Sequence, residues 1–350
     1  MNYLDDMDVR LRSVSLFAFA EQFLKDHLSD GIDEGGLEKY FVSPSHNLDS
    51  INSVFELFMK TTQNYQRMPN VIKFDARRDE IARRFNNFDP RVFGRATAEE
   101  LYEVFRKDFG ITSKDSKQNS WYKWSRSVVD SARFLQGFKD IEDFKAFVNS
   151  FSYSAATRTA LPLYLSEKIS GMGFALACDA LKELGYEYYP KPDVHMIDIL
   201  SGLDICEPNQ LAVYEELIRI ADDNGITPYK LDKILWLICS GNYYMDDVKV
   251  PGYKKEFIEK AGEHMSLVNS LEHRMTSDFI SIYTHEPEGD DNYPREFCNR
   301  YMSERVPEFT WFSNATVYSP ESDVIVERIS RLKGYIDRAR ALGKLDVDVK

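Results

Sequence analysis

No apolar run in this 350-residue chain approaches the length needed to span a bilayer, which removes an integral helical membrane protein from the expected classes. The opening Met1-Asn2-Tyr3-Leu4-Asp5-Asp6 lacks the basic flank of a secretory signal, so the chain reads as intracellular, either cytoplasmic or nucleoid-associated. Cysteine is scarce. Cys178, Cys206, Cys239 and Cys298 lie far apart and form no Cys-x-x-Cys pair, which argues against a zinc site, an iron–sulfur cluster or a disulfide framework. The six histidines are scattered, with no His-Glu-x-x-His or His-x-His pair, and no transition metal is expected. Glycine (17) and proline (13) are too few for a disordered or fibrous chain. What remains, 43% hydrophobic and 29% charged, is an ordinary globular composition, long enough for one large core or two moderate ones.

Positive charge is also short, and the net charge of −13 does not suggest a polyanionic partner. The distribution is uneven, however. Residues 60–133 carry sixteen Lys or Arg against ten Asp or Glu, a local excess of six, and the rest of the chain carries −19. Local basic surface rather than net charge decides contact with phosphate, although the same charges serve equally well as solvated helix faces.

Helical periodicity dominates up to about residue 245, and strand alternation is hard to find. Leu16, Phe17, Ala20, Phe23, Leu24 and Leu28 recur at helical intervals, as do Ile51, Val54, Phe55 and Phe58 after the cap candidate Asp49-Ser50. Asp75–Phe85 is a charged helix. Thr97-Ala98-Glu99-Glu100 is a capping box, and helices are predicted over 125–138 and 141–151. Asn209 opens another helix, and Thr227-Pro228 one that runs to Cys239. Beyond Gly241 come a helix over 261–282, an acidic Gly/Pro loop over 286–294, an irregular aromatic stretch over 307–319 and a charged helix over 322–342.

Two helical patterns, 164–169 and 174–184, flank Ser170-Gly171-Met172-Gly173. Two glycines separated by one residue permit a sharp turn and leave backbone amides uncovered at the start of the second helix, a seat for phosphate. Gly-x-Gly between helices is by itself more often only a turn. Eighteen residues after Ala175 stands Asp193, in Lys191-Pro192-Asp193-Val194-His195, after the aromatic loop Tyr186-Glu187-Tyr188-Tyr189-Pro190.

Hairpin, spacing and Asp together resemble the helix-hairpin-helix base-excision DNA glycosylases. Residues of about 15 to 245 follow that family's order of elements. The resemblance implies an all-α fold with two helical subdomains flanking a cleft and a C-terminal helical extension. It places 1–50 against the C-terminal part, a helical barrel domain over 51–205 with the hairpin at about 164–185, returning helices over 206–249 and an extension of unassigned role over 250–350.

By the same resemblance Asp193 is the catalytic carboxylate, stabilising an oxocarbenium-like sugar and orienting water, and Gly171, Met172, Gly173 and Ala175 form the phosphate-binding hairpin. Gln63 matches the residue that fills the gap left by an extruded nucleotide. Tyr65, Trp121, Tyr122, Trp124, Tyr186, Tyr188 and Tyr189 are candidates for a base pocket, with Lys191 and His195 beside the Asp. No cofactor is expected other than a monovalent cation at the hairpin carbonyls. The implied partner is DNA, double-stranded, with no membrane and no protein partner identified.

Three departures shape the reading. Ala175 occupies the place of the Schiff-base lysine of bifunctional members, which implies a monofunctional hydrolase without lyase activity. Ser170 replaces the hairpin's usual proline, and the family's frequent four-cysteine cluster is missing. The extra C-terminal residues suggest an enzyme directed at modified bases of foreign (phage) DNA, an antiviral defence rather than repair. Other roles stay open: Asp193 as a helix cap, His195 as a packed histidine, Lys191 as a surface lysine, Gln63 as a loop residue and the 121–124 aromatics as core. The alternative functions are a catalytically inactive helix-hairpin-helix protein that binds DNA or protein, and an all-α scaffold.

Overall fold

A computed structural model of the chain describes residues 3–28, 32, 34–44, 48–65, 68–285, 287, 289–305 and 320–345. The irregular stretch expected over 307–319 lies outside these residues, as does part of the acidic loop over 286–294. The architecture is all-α. The helices are α1 (Tyr3–Asp26), α2 (Glu34–Phe41), α3 (Ile51–Thr62), α4 (Met68–Ile72), α5 (Phe74–Arg84), α6 (Pro90–Phe93), α7 (Ala98–Asp108), α8 (Ser120–Leu135) and α9 (Ile141–Ser150). They continue with α10 (Ala155–Lys168), α11 (Phe174–Glu183), α12 (Val194–Gly202), α13 (Gln210–Asp223), α14 (Pro228–Ser240), α15 (Lys254–His285), α16 (Tyr293–Arg305) and α17 (Pro320–Ala341). Between α14 and α15, β1 (Asn242–Tyr243) and β2 (Val248–Lys249) pair antiparallel, Asn242 opposite Lys249 and Tyr243 opposite Val248. No helix among the described residues is long and apolar enough to cross a membrane.

Local chemistry accounts for most helix starts. Ser50, Asp89, Thr97, Asn119, Asp140 and Ser154 each accept a backbone N–H at the openings of α3, α6, α7, α8, α9 and α10. At α7 the reciprocal capping box forms, with the Glu100 carboxylate accepting from the Thr97 amide at 2.7 Å. Helix α8 begins five residues earlier than its expected start at 125, because Asn119 caps it from the loop.

Three cores result. The first joins α3 through α11 and extends from Val54 to Tyr189, with Tyr214 of α13 added from outside. The second combines Leu16–Tyr40 with Met196–Met265, so α1 and α2 close onto α12–α14 and the first part of α15. The third gathers Met7, Leu11 and Val14 with Val268–Ile336. Helices α1 and α15 run antiparallel through the second and third cores, and Phe19 stacks on His264 at 5.1 Å where one core passes into the other. The boundary between the first two cores falls between Tyr189 and Met196. Helix α12, expected within the barrel domain ending at 205, therefore packs with the second core, because Met196, Ile199 and Leu200 face it. Asp193 stands where the chain crosses from one core to the other.

Candidate functional site

The turn between α10 and α11 is built by its glycines. Ile169 is buried, the Ser170 amide donates to Asp130 Oδ2 at 3.2 Å, and the Met172 amide closes back on the Ile169 carbonyl at 3.1 Å. Gly171 has φ of +80°, which calls for glycine, and a Cβ there would stand 2.7 Å from Ser127 Oγ and displace that hydroxyl. Gly173 is the N-cap of α11 in extended conformation and supplies no side-chain acceptor. Gly171 and Gly173 are exposed and Ala175, in the first turn of α11, is half-buried. The Met172 side chain, by contrast, is in the core at 1% exposure, which leaves only its backbone for any ligand.

Helix α12 opens in the opposite way. Asp193 Oδ1 accepts from the His195 amide at 2.8 Å and the Met196 amide at 3.4 Å, which fixes a half-buried carboxylate at the seam between the cores. The Cys239 thiol of α14 lies close enough to register this charge. Its pKa is pushed up to about 12, by burial first and then by the balance of Lys254, which lowers it, against Asp193 and Asp198, which raise it. His195 is half-buried, and among the described residues its Nδ1 is enclosed without a hydrogen-bond partner.

The loop that carries Asp193 is tied down by an ion cluster. Lys182 of α11, 4% exposed, donates from Nζ to Asp232 Oδ2 of α14 at 2.7 Å and lies 3.4 Å from Asp179 Oδ1. Lys191 Nζ reaches Asp179 Oδ2 at 2.9 Å, and the Lys191 amide donates to Asp232 Oδ2 at 3.0 Å. Two lysines and two aspartates thus join α11, α14 and the residues just before Asp193. Burial opposes the charge on Lys182, but Asp232 and Asp179 outweigh it and raise its pKa. Burial likewise opposes ionisation of Asp179, and the neighbouring Lys191 and Lys182 carry its carboxyl down to about 2. A second backbone tie, from the Tyr229 amide to the Glu187 carbonyl at 3.1 Å, holds the aromatic part of the loop to α14.

Several expected site residues occupy different places. Gln63 is 5% exposed, and its Oε1 accepts from the Phe74 amide at 2.9 Å. It caps α5, whose own N-cap residue Lys73 supplies no side-chain bond, so Gln63 is not a wedge presented to solvent. Trp121 and Trp124 are 2% and 0% exposed, and the Trp124 indole N–H donates to the Met59 carbonyl at 3.0 Å: both belong to the first core rather than to a stacking platform. Tyr122 is largely buried, with its hydroxyl on Glu99 at 2.6 Å, and Tyr189 is buried with its pKa raised to about 12 by loss of solvent. Tyr186 packs partly buried against the first core. Tyr188 is exposed, with the Arg158 guanidinium 5.2 Å from its ring centre. Lys191 turns inward to Asp179 and is not a free phosphate contact.

The hairpin does gather other groups. A groove of about 570 Å³ runs beside it, lined by Tyr65, Met68, Lys117, Gln118, Tyr122, Lys123, Arg126, Ser127, Ser170 and Gly171. Tyr65, Tyr122 and Gly171 are thereby brought together, while Asp193, Lys191 and His195 cluster on the α11–α12 side and do not line it. The Lys182–Asp232 pair and the Lys123–Arg126 face were not singled out from sequence. The first spans 50 residues and leaves no local signal, whereas the second contributes to the basic excess over 60–133. No family model matches the chain, and the curated proteins and the solved structures yield no match to it either.

Proposed function

We propose that the chain is a monofunctional helix-hairpin-helix DNA glycosylase that hydrolyses the N-glycosidic bond of an extruded, damaged or modified base. The observation that carries this reading is the sequence of two unlike helix starts: a start on exposed Gly173 with no side-chain cap and, across one helix and one pinned loop, a carboxylate held by two amides at Asp193. The open amides and dipole of α11 suit a DNA phosphate. A monovalent cation at the hairpin would draw on the exposed backbone of Gly171, since the Gly173 carbonyl already accepts from the Ala177 amide at 2.9 Å.

Both amide bonds to Asp193 fall on Oδ1, and in this reading Oδ2 is the oxygen that serves the substrate. As the base departs, positive charge develops on the sugar, and a carboxylate fixed beside C1′ stabilises it and orients the attacking water. The water adds its oxygen to C1′, the C1′–N bond breaks with its electron pair leaving on the base, and a proton passes from the water to Asp193 or solvent. Ala175 offers no amine for a covalent intermediate, which favours hydrolysis without strand cleavage. The test is base release from a panel of duplexes carrying damaged and modified bases, including the modified bases of phage DNA. Free base from the parent and none from Asp193→Asn supports the reading, and equal release by both removes Asp193 from the mechanism.

A second reading is a hairpin protein that binds DNA without excising a base. It is favoured by the burial of Trp121, Trp124, Tyr122 and Tyr189, which leaves few of the candidate aromatics to receive an extruded base. Duplex binding with no base released from any substrate would select it.

A further inference from the structure

The groove between α4, α8 and the hairpin carries three cationic side chains. Lys117 lies in the α7–α8 loop, and Lys123 and Arg126 stand one turn apart on α8. No carboxylate is among its lining residues. Acidic groups stand close behind it. Glu99 lies 3.9 Å from Lys117 and accepts from Tyr122, and Asp130 accepts the Ser170 amide. Neither reaches Lys123 or Arg126 among the ion pairs of the described residues. Arg126 instead donates to Ser170 Oγ at 3.2 Å, so the cation is joined directly to the hairpin. Tyr65, 37% exposed, stands on the opposite lip.

We propose that this groove is a second phosphate-binding track for DNA, continuous with the hairpin, in which Arg126, Lys123 and Lys117 contact successive phosphodiesters of one strand while Tyr65 lies against its sugars or bases. The inference deepens the glycosylase reading and rests on the hairpin as a DNA contact. It does not require that any base be excised. Its chemistry is that of a strand rather than of a small anion, because a groove of about 570 Å³ is far larger than one phosphate needs. It also resolves the conflict between a net charge of −13 and a polyanionic partner, since the excess of basic residues over 60–133 includes all three cations.

The test is equilibrium binding of a fluorescent duplex by anisotropy over a salt series, with the full chain. Each phosphate neutralised contributes about −0.9 to the slope of log K against log salt. Lys123→Gln with Arg126→Gln is expected to make that slope shallower by about two and to weaken binding most at low salt. Lys249→Gln with Lys255→Gln makes the same change in net charge on exposed residues outside the groove and is expected to leave the slope unaltered. All four side chains are solvent-facing or half-buried, and an unchanged thermal midpoint verifies folding. Equal slopes for parent and groove variant, or a parent that binds no duplex at low salt, would overturn the groove. Base release measured in parallel separates the two readings: groove-dependent binding without release keeps the groove and removes the glycosylase, and release with an unaltered slope does the reverse.

Discussion

Helices α11 and α12 follow one another in the chain and begin in contrary ways. The first starts on Gly173 with no side chain over its amides, and the second starts on Asp193, whose carboxylate fills the same kind of vacancy. A helix start satisfied from within is stable by itself, and one left open is stable only through water or a ligand. In the proposed function the difference divides the labour at the seam: α11 would receive an anion, and α12 holds one that belongs to the protein. The Lys182 cluster keeps the two starts in fixed relation, since it ties α11 to the loop that delivers Asp193.

The cluster offers the strongest way to break that relation. Lys182→Met leaves buried Asp232 and half-buried Asp179 with one cation fewer, and denaturant unfolding is expected to show a loss of about 3–5 kcal/mol, the usual cost of removing one partner of a buried pair. A loss under about 1 kcal/mol, the range of exposed pairs, would mean the cluster is solvated and does not anchor the loop. The same cluster has an acid limit. Asp179 is held at about 2 against an ordinary 3.8, so its contribution is complete above the ordinary value and disappears as pH falls through the lower one. Stability measured from pH 5 to pH 2 is expected to fall by about 2 kcal/mol more in the parent than in Asp179→Asn. Equal slopes would contradict the assignment.

Gln63 supplies a control within the first core. It satisfies the α5 amide just as Asp193 satisfies those of α12, yet it serves only the fold. Gln63→Ala is expected to lower stability by about 1–3 kcal/mol, the cost of an unsatisfied buried donor, and to leave single-turnover base release unchanged. A selective fall in release would return Gln63 to the site.

What could be read from sequence follows the range of the forces involved. The capping box at Thr97–Glu100 and the caps at Ser50, Asn209 and Thr227 act over three residues, and the pattern alone identifies them. The hairpin turn is legible for the same reason, since Gly171, at a φ of +80°, answers a local backbone demand. The facing of Trp121 and Trp124 is not legible, because either side of an aromatic-rich helix can be buried until the packing of α3 and α7 decides it. Gln63 has the composition of a loop residue and acquires its role only when the chain turns back eleven positions later. Lys182 and Asp232 are brought together by tertiary packing alone, and each would pass for an ordinary helix charge.

The smallest expected effect on stability gives the sharpest view of the two helix starts. A Cβ at Gly173 meets nothing within 4 Å and its φ of −67° suits any residue, so Gly173→Asp would convert the start of α11 into one like that of α12. Stability is expected to rise by a few tenths of a kcal/mol as the aspartate caps its own helix. Duplex binding, measured by anisotropy, is expected to weaken roughly tenfold, because the new carboxylate occupies the amides and repels phosphate. Unchanged binding would show that α11 does not seat a phosphate.

The most direct test is single-turnover release of base from saturating modified duplex by Asp193→Asn beside the parent. Asparagine caps a helix about as well as aspartate, so folding and DNA affinity should persist, while the rate should fall by about 10²–10⁴-fold with loss of the charge beside C1′. A variant that folds, binds and releases base at the parent's rate would contradict the role given to Asp193.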